Sequence, residues 1–205
     1  MFGRQSLKKK HNTGQGLFEL SRIKSAHVQE FEELLMIFKK ALRSFHRYDR
    51  YLLKIDVSEQ CLCGRLAYHL QNALVGTEYE QYDVDCEYNR GMQAKDDGVK
   101  KIDGGCVRLD IAVHKRHYDS RNHCYWNLMC LEMKKRNGKK ESIEADKKRL
   151  QQLTRGVYGF GYKAAFFVVA DKDSLKVENV YSSLAEDDWD TEIEDCWIVN
   201  RTERS

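Results

Sequence analysis

No apolar stretch of this 205-residue chain approaches the length of a membrane span, and Met1-Phe2-Gly3-Arg4 lacks the apolar segment of a secretory signal. The expectation is a soluble, cytoplasmic protein with no membrane partner. Proline is absent altogether, so any motif written with a proline is met only in part. The cysteines number seven, an odd count that cannot pair completely, and without an export signal they read as free thiols in a reducing compartment. Cys86, Cys130 and Cys106 read as small hydrophobes in strands. No regular C-x-x-C pair is present: Cys61-Leu62-Cys63 has the wrong spacing for zinc, and His114, His117, His123 and Cys124 read as a polar turn rich in histidine. The glycines of Gly156-Val157-Tyr158-Gly159-Phe160-Gly161 follow a helix and precede a strand, the reverse of a phosphate loop.

Charge of one sign is also lacking, since the formal net charge is only +3. Its distribution is uneven. Arg4, Lys8, Lys9, Lys10, Arg22 and Lys24 make the first segment basic, as do Arg43, Arg47 and Arg50 on the helix that follows, whereas Glu186 to Asp195 is acidic. Basic segments can follow a nucleic-acid backbone, although a solvated tail has the same composition.

What the chain does have is an apolar run from Tyr125 to Met133 that ends in Leu131-Glu132-Met133-Lys134. In a strand, Glu132 and Lys134 share one face while Leu131 and Met133 share the other. Upstream, Val107, Leu109, Ile111 and Val113 alternate with Arg108, Asp110 and Ala112, which displays Asp110 in mid-strand. Aspartate fits a half-buried pleated surface poorly and there calls for a partner such as a cation. An Asp on one strand and Glu-x-Lys on the next suit a hard divalent metal. Mg²⁺ needs one or two carboxylates and keeps several waters, one of which can attack a phosphodiester, while an ammonium alongside orients it.

On these residues the chain, from about Glu59 to Asp171, resembles the PD-(D/E)XK nuclease superfamily, the restriction-endonuclease-like fold. The resemblance implies Asp110 and Glu132 as Mg²⁺ ligands with Mn²⁺ as a substitute, the backbone carbonyl of Met133 as a further ligand, and Lys134 as the group that positions the attacking water. Leu109 stands where the motif has its proline. A second acid-x-lysine triplet, Asp146-Lys147-Lys148, lies in a charge-dense stretch that reads as helix and is set aside as a decoy. Many relatives carry an acid on the first core helix, which here would be Glu59, implied as a third metal ligand or a water-positioning group; it stands one residue after the N-cap candidate Ser58 and ahead of Leu62, Leu66, Leu70 and Leu74. Phosphate-contacting candidates are Gln152, Lys148, Arg65 and Lys135, although a solvated helix face is the better account of Lys148 and Arg149. Asp85 and Glu87, on an alternating acidic face between Tyr79 and Arg90, are held in reserve as site residues.

The expected fold is α/β, a central mixed β-sheet flanked by helices in the order αβββαβ, with an extra N-terminal helix. The helices are expected at Ala26 to Tyr48, Glu59 to Leu74 and Glu141 to Tyr158, and the last core strand at Ala164 to Ala170. A chain of this length supports one core, burying about 70% of the surface of its unfolded form. Residues 1–24 are expected to be a basic, flexible segment and 25–205 a single domain, with a core of about 58–171 and an extension of 172–205 ending in a strand at Cys196 to Val199. The apolar stripe of the first helix, Val28, Phe31, Leu34, Leu35, Phe38, Ala41, Leu42 and Phe45, is wide enough to face the core or a second subunit, and a homodimer would suit cleavage of both strands of a duplex. The expected function is a metal-dependent nuclease with DNA as substrate. The alternative is a catalytically inactive relative that binds nucleic acid or protein. A third account has Glu132 and Lys134 merely neutralising each other, which leaves Asp110 unexplained.

Overall fold

The computed structural model describes residues 13–90, 100–116, 127–155 and 160–184, with side chains described from Ala26 onward. Among these residues, four helices and seven strands follow in chain order. They are α1 (Thr13–Tyr48), α2 (Tyr51–Lys54), α3 (Glu59–Leu74), β1 (Asp83–Tyr88), β2 (Lys101–Ile102), β3 (Gly105–Cys106), β4 (Leu109–His114), β5 (Asn127–Lys135), α4 (Lys140–Thr154), β6 (Ala164–Ala170) and β7 (Leu175–Ser182). Five strands form a mixed sheet in the order β1-β4-β5-β6-β7. Only β5 and β6 run parallel, joined through α4 as a parallel pair requires.

The sheet separates two cores. One face carries Ile111, Val113, Leu131, Met133, Phe166 and Val168 against α1 and α3. Here most of the α1 stripe is spent inside the chain: Leu34, Ile37, Phe38, Ala41, Leu42 and Phe45 recur at helical spacing and are all buried, whereas Val28, expected in the stripe, is exposed, and Phe38 stacks on Phe166 with ring centroids 4.0 Å apart. The other face carries Ala112, Cys130, Phe167 and Val169 against Leu150 and Leu153 of α4. Asp110, Glu132 and Lys134 fall on this second face by the period of two.

Local chemistry sets the element ends that matter for the site. Ser58 Oγ accepts the N–H of Cys61 at 3.2 Å, so α3 starts at Glu59 with its carboxylate in the first turn. Between β5 and α4 the chain reverses at Gly138, where a Cβ would lie 3.1 Å from the carbonyl oxygen of Lys135. A side chain there would force the turn to open by a few tenths of an ångström.

Several expectations shift. The helix expected from Ala26 begins at Thr13, the strand expected from Tyr79 is confined to Asp83–Tyr88 because Tyr79 to Gln81 make turns, and the helix expected to Tyr158 is described only to Thr154. β7 and the small β2–β3 hairpin were not expected. β7 lies inside the stretch assigned to a C-terminal extension, and its alternation of buried Leu175 and Val177 with half-buried Lys176 and Glu178 is ordinary edge-strand patterning. Cys130 is buried as expected, whereas Cys86 and Cys106 are exposed. Residues 1–12, most of the His-rich turn, part of the glycine run, the acidic segment and the strand expected at Cys196 to Val199 lie outside the described residues. Among the described residues, no helix is long and apolar enough to cross a membrane.

The acidic face of β1 is engaged in ion pairs away from Asp110. Asp85 accepts from Arg116 at 2.5 Å and 2.9 Å and lies 2.9 Å from His114 Nε2, while Glu87 pairs with Arg108 at 2.6 Å. The Arg116 hydrogen bond above all holds the Asp85 carboxyl below the usual aspartate range; burial opposes it and His114 adds to it. A carboxyl lowered in the folded state contributes stability above its unfolded value of about 3.9 and loses it as pH falls through the folded value. Asp85→Asn therefore lowers the urea midpoint near neutral pH, and the difference from wild type shrinks as pH drops below about 3.9. Urea titrations over a pH series check this.

Candidate active site

The register of β4 on β5 pairs Ile111 with Leu131, which sets Asp110 directly across from Glu132. Their carboxyl groups lie within hydrogen-bonding reach, and Asp110 Oδ2 also accepts the backbone N–H of Met133 at 2.7 Å. Glu132 is only 2% exposed. Burial pushes its carboxyl well above the usual range, and the charge of Asp110 adds to that, against the pull of Arg149. Burial also raises Asp110, although the Met133 N–H, the Lys134 ammonium and the hydrogen bond with Glu132 oppose it. A buried carboxyl raised by burial and by the charge of its half-buried neighbour marks a site short of positive charge.

Lys134 stands beside them on the same face. Its Nζ lies 3.1 Å from Asp146 Oδ2, 3.8 Å from Glu59 Oε2 and 3.2 Å from the carbonyl oxygen of Met133. Burial works against its charge, but Asp146 and then Asp110 outweigh it, so its pKa is raised. An ammonium held this way donates hydrogen bonds and does not serve as a base near neutral pH.

Two residues set aside from the sequence belong to the centre. Asp146 of the decoy triplet is buried, and Arg149 joins it to the strand: Nη2 lies 3.0 Å from Asp146 Oδ1 and Nη1 donates to Glu132 Oε1 at 2.7 Å. A solvated helix face is thus wrong for Arg149. The signal was legible, because Ile143, Asp146, Leu150 and Leu153 share helical spacing and place a carboxylate within the inward stripe of α4. Lys148, by contrast, is exposed.

The remaining candidates lie further out. Glu59 reaches round the end of β5, where Oε1 accepts the N–H of Lys135 at 2.8 Å, and it meets the centre only through Lys134. The Lys135 ammonium is tied to Asp56 at 2.7 Å. Arg65 grips Asp49 with Nε and Nη2 at 3.1 Å and 3.0 Å, and Gln152 faces Asp103 at 3.4 Å. Asp85 and Glu87 do not join the centre.

Asp110, Glu132 and the Met133 carbonyl provide two carboxylates and one neutral oxygen. Among the described residues, no set of three or more His, Cys, Asp or Glu side chains is gathered closely enough to hold a metal ion. That donor set fits Mg²⁺, which takes one or two carboxylates and completes its shell with water and substrate phosphate. With Asp146 and Glu59 included, four carboxylates face the two cations Lys134 and Arg149, so the fully ionised centre is negative by two charges. Comparison with protein-family models, with curated proteins and with solved structures gave no match.

Proposed function

We propose that this protein is a metal-dependent nuclease that hydrolyses phosphodiester bonds, with DNA as the favoured substrate. The observation that carries the reading is the facing pair of half-buried Asp110 and buried Glu132, both with raised pKa, and a lysine on the same sheet face. Catalytic centres are where burial and like charges are arranged to shift pKa values in this way. Mg²⁺ or Mn²⁺ would be held by Asp110, Glu132 and the Met133 carbonyl, and when bound it would polarise the phosphate and lower the pKa of a water. Lys134, held protonated by Asp146, would orient the attacking water and stabilise charge developing on the phosphate oxygens. Glu59 would keep Lys134 in place from the α3 side. In hydrolysis the water oxygen forms a bond to phosphorus, one phosphorus–oxygen ester bond breaks, and the departing oxygen takes up a proton.

The rival reading, an inactive module that binds nucleic acid or protein, is favoured by one observation. Arg149 donates to Glu132 at 2.7 Å and supplies positive charge there without any metal. Incubation of purified protein with plasmid, linear DNA and RNA separates the two. The nuclease reading predicts cleavage with Mg²⁺ or Mn²⁺ and none with chelator. Cleavage that survives the chelator contradicts the metal mechanism, and no cleavage of any substrate under any condition favours the module.

A further inference from the structure

At the carboxyl ends of β5 and β6 lies a cleft of 490 Å³ that the proposed chemistry does not use. The volume falls within the range of about 300–1,000 Å³ typical of small-molecule sites. Its floor is aliphatic, made by Leu52, Leu53, Val57, Leu62 and Ala170. Its rim is charged: Lys54, Lys135, Arg136 and Lys172 face two carboxylates, Asp56 and Asp171. Those carboxylates hold Lys135 and Arg136 at 2.7 Å each, and of the other two cations Lys54 lies 3.9 Å from Asp173, which leaves the rim with one positive charge in excess, at Lys172.

The cleft adjoins the carboxylate centre. Leu62 follows Glu59 by one helical turn on α3, and Lys135, which lines the cleft, gives its backbone N–H to Glu59 Oε1 at 2.8 Å. The other oxygen of the same carboxylate faces Lys134. The cleft lies on the α1–α3 face of the sheet and Lys134 on the α4 face, and Glu59, reaching round the end of β5, is the side chain that links them.

We infer that the cleft receives one unpaired nucleotide of the substrate strand, next to the bond that is cleaved. This rests on the nuclease reading. The aliphatic floor takes a base or sugar face that offers no charge, and the cationic rim takes the phosphates on either side of it. A base within an intact duplex is paired and stacked, and removing it costs a few kcal/mol, so a cleft of this kind favours single-stranded or frayed ends. Substrate selection thus lies in the α2–α3 connection and the β5–α4 turn, while the chemistry lies in the sheet.

The test is fluorescence anisotropy of a short single-stranded oligothymidine and of a blunt duplex of equal length, with chelator present so that neither is cut. Wild type binds the single strand about tenfold or more tightly than the duplex, a difference of about 1.4 kcal/mol. Val57→Trp, which fills the cleft, removes that preference. Lys172→Ala, an exposed change with no core contact to lose, weakens single-strand binding and reduces the slope of log affinity against log salt by about 0.7. Equal binding of the two forms by wild type, or unchanged affinity in Lys172→Ala, overturns the inference. The two readings fail separately. Single-strand binding that the variants lose, with no cleavage in Mg²⁺ or Mn²⁺, keeps the cleft and removes the nuclease; metal-dependent cleavage with unaltered variants does the reverse.

Discussion

Glu132→Gln abolishes cleavage and at the same time makes the metal-free protein more stable. The amide has the shape of the carboxylate and still accepts the Arg149 hydrogen bond through oxygen, but it carries no charge to bury beside Asp110. Loss of a group that acts as part of one catalytic unit costs on the order of 10³-fold or more in rate. The stability gain is about 0.5–2 kcal/mol, the usual scale when a strained functional site is relieved. Its pH dependence has a defined sign. A carboxyl raised in the folded state contributes stability fully below its unfolded value of about 4.3 and loses it as pH rises through the folded value. The advantage of the Glu132→Gln variant over wild type is therefore greatest near neutral pH and fades toward about pH 4. Thermal melts in chelator over that range, paired with cleavage rates in Mg²⁺, check both halves. A variant that is less stable at neutral pH contradicts the strain argument, and one that still cuts contradicts the assigned role.

Arg149→Ala has the opposite effect on stability. It leaves the Glu132 carboxyl, buried and close to Asp110, without its only cationic hydrogen-bond donor among the described residues. Removing one partner of a buried pair costs about 3–5 kcal/mol, and the low end applies because the Arg149 side chain is 30% exposed. Most of the loss is the stranded charge, so the double variant Arg149→Ala with Glu132→Gln recovers much of it, and the non-additivity measures the pair directly. The metal response discriminates between the two functional readings. If a cation belongs between Asp110 and Glu132, Mg²⁺ raises the melting temperature of Arg149→Ala more than that of wild type, because ligand binding to the folded state stabilises by mass action and the variant has lost its internal substitute. If the protein is a binding module whose arginine replaced the metal, Mg²⁺ gives neither protein any increase.

The parts of this architecture that were legible in the sequence are those where one periodicity dominates. Ala164–Ala170 is a continuous apolar run and coincides with β6, and the alternation around Asp110 and Glu132 puts both residues on one face of adjacent antiparallel strands. Ser58 marks the start of α3 because a cap is a chemical requirement and not a statistical preference. What was missed had competing signals. Asp146 and Arg149 lie among lysines and glutamates that are solvated, and the inward position of Asp146 shows only when it is counted in register with Leu150 and Leu153. β7 alternates apolar with charged residues at a sheet edge, which in isolation resembles an extended tail. The role of Glu59 was legible as a residue near the centre but not as a group that meets Asp110 and Glu132 only through Lys134, since that depends on where the end of β5 stops.

The central claim is that Asp110 and Glu132 hold one divalent cation between them. Crystals soaked in Mn²⁺ and measured for anomalous scattering test it most directly. The account predicts a single strong peak bound by both carboxylates and by the Met133 carbonyl, with oxygen distances of about 2.0–2.2 Å and the Arg149 guanidinium turned away from Glu132. A map with no peak between the two carboxylates, at a Mn²⁺ concentration that supports cleavage, contradicts it.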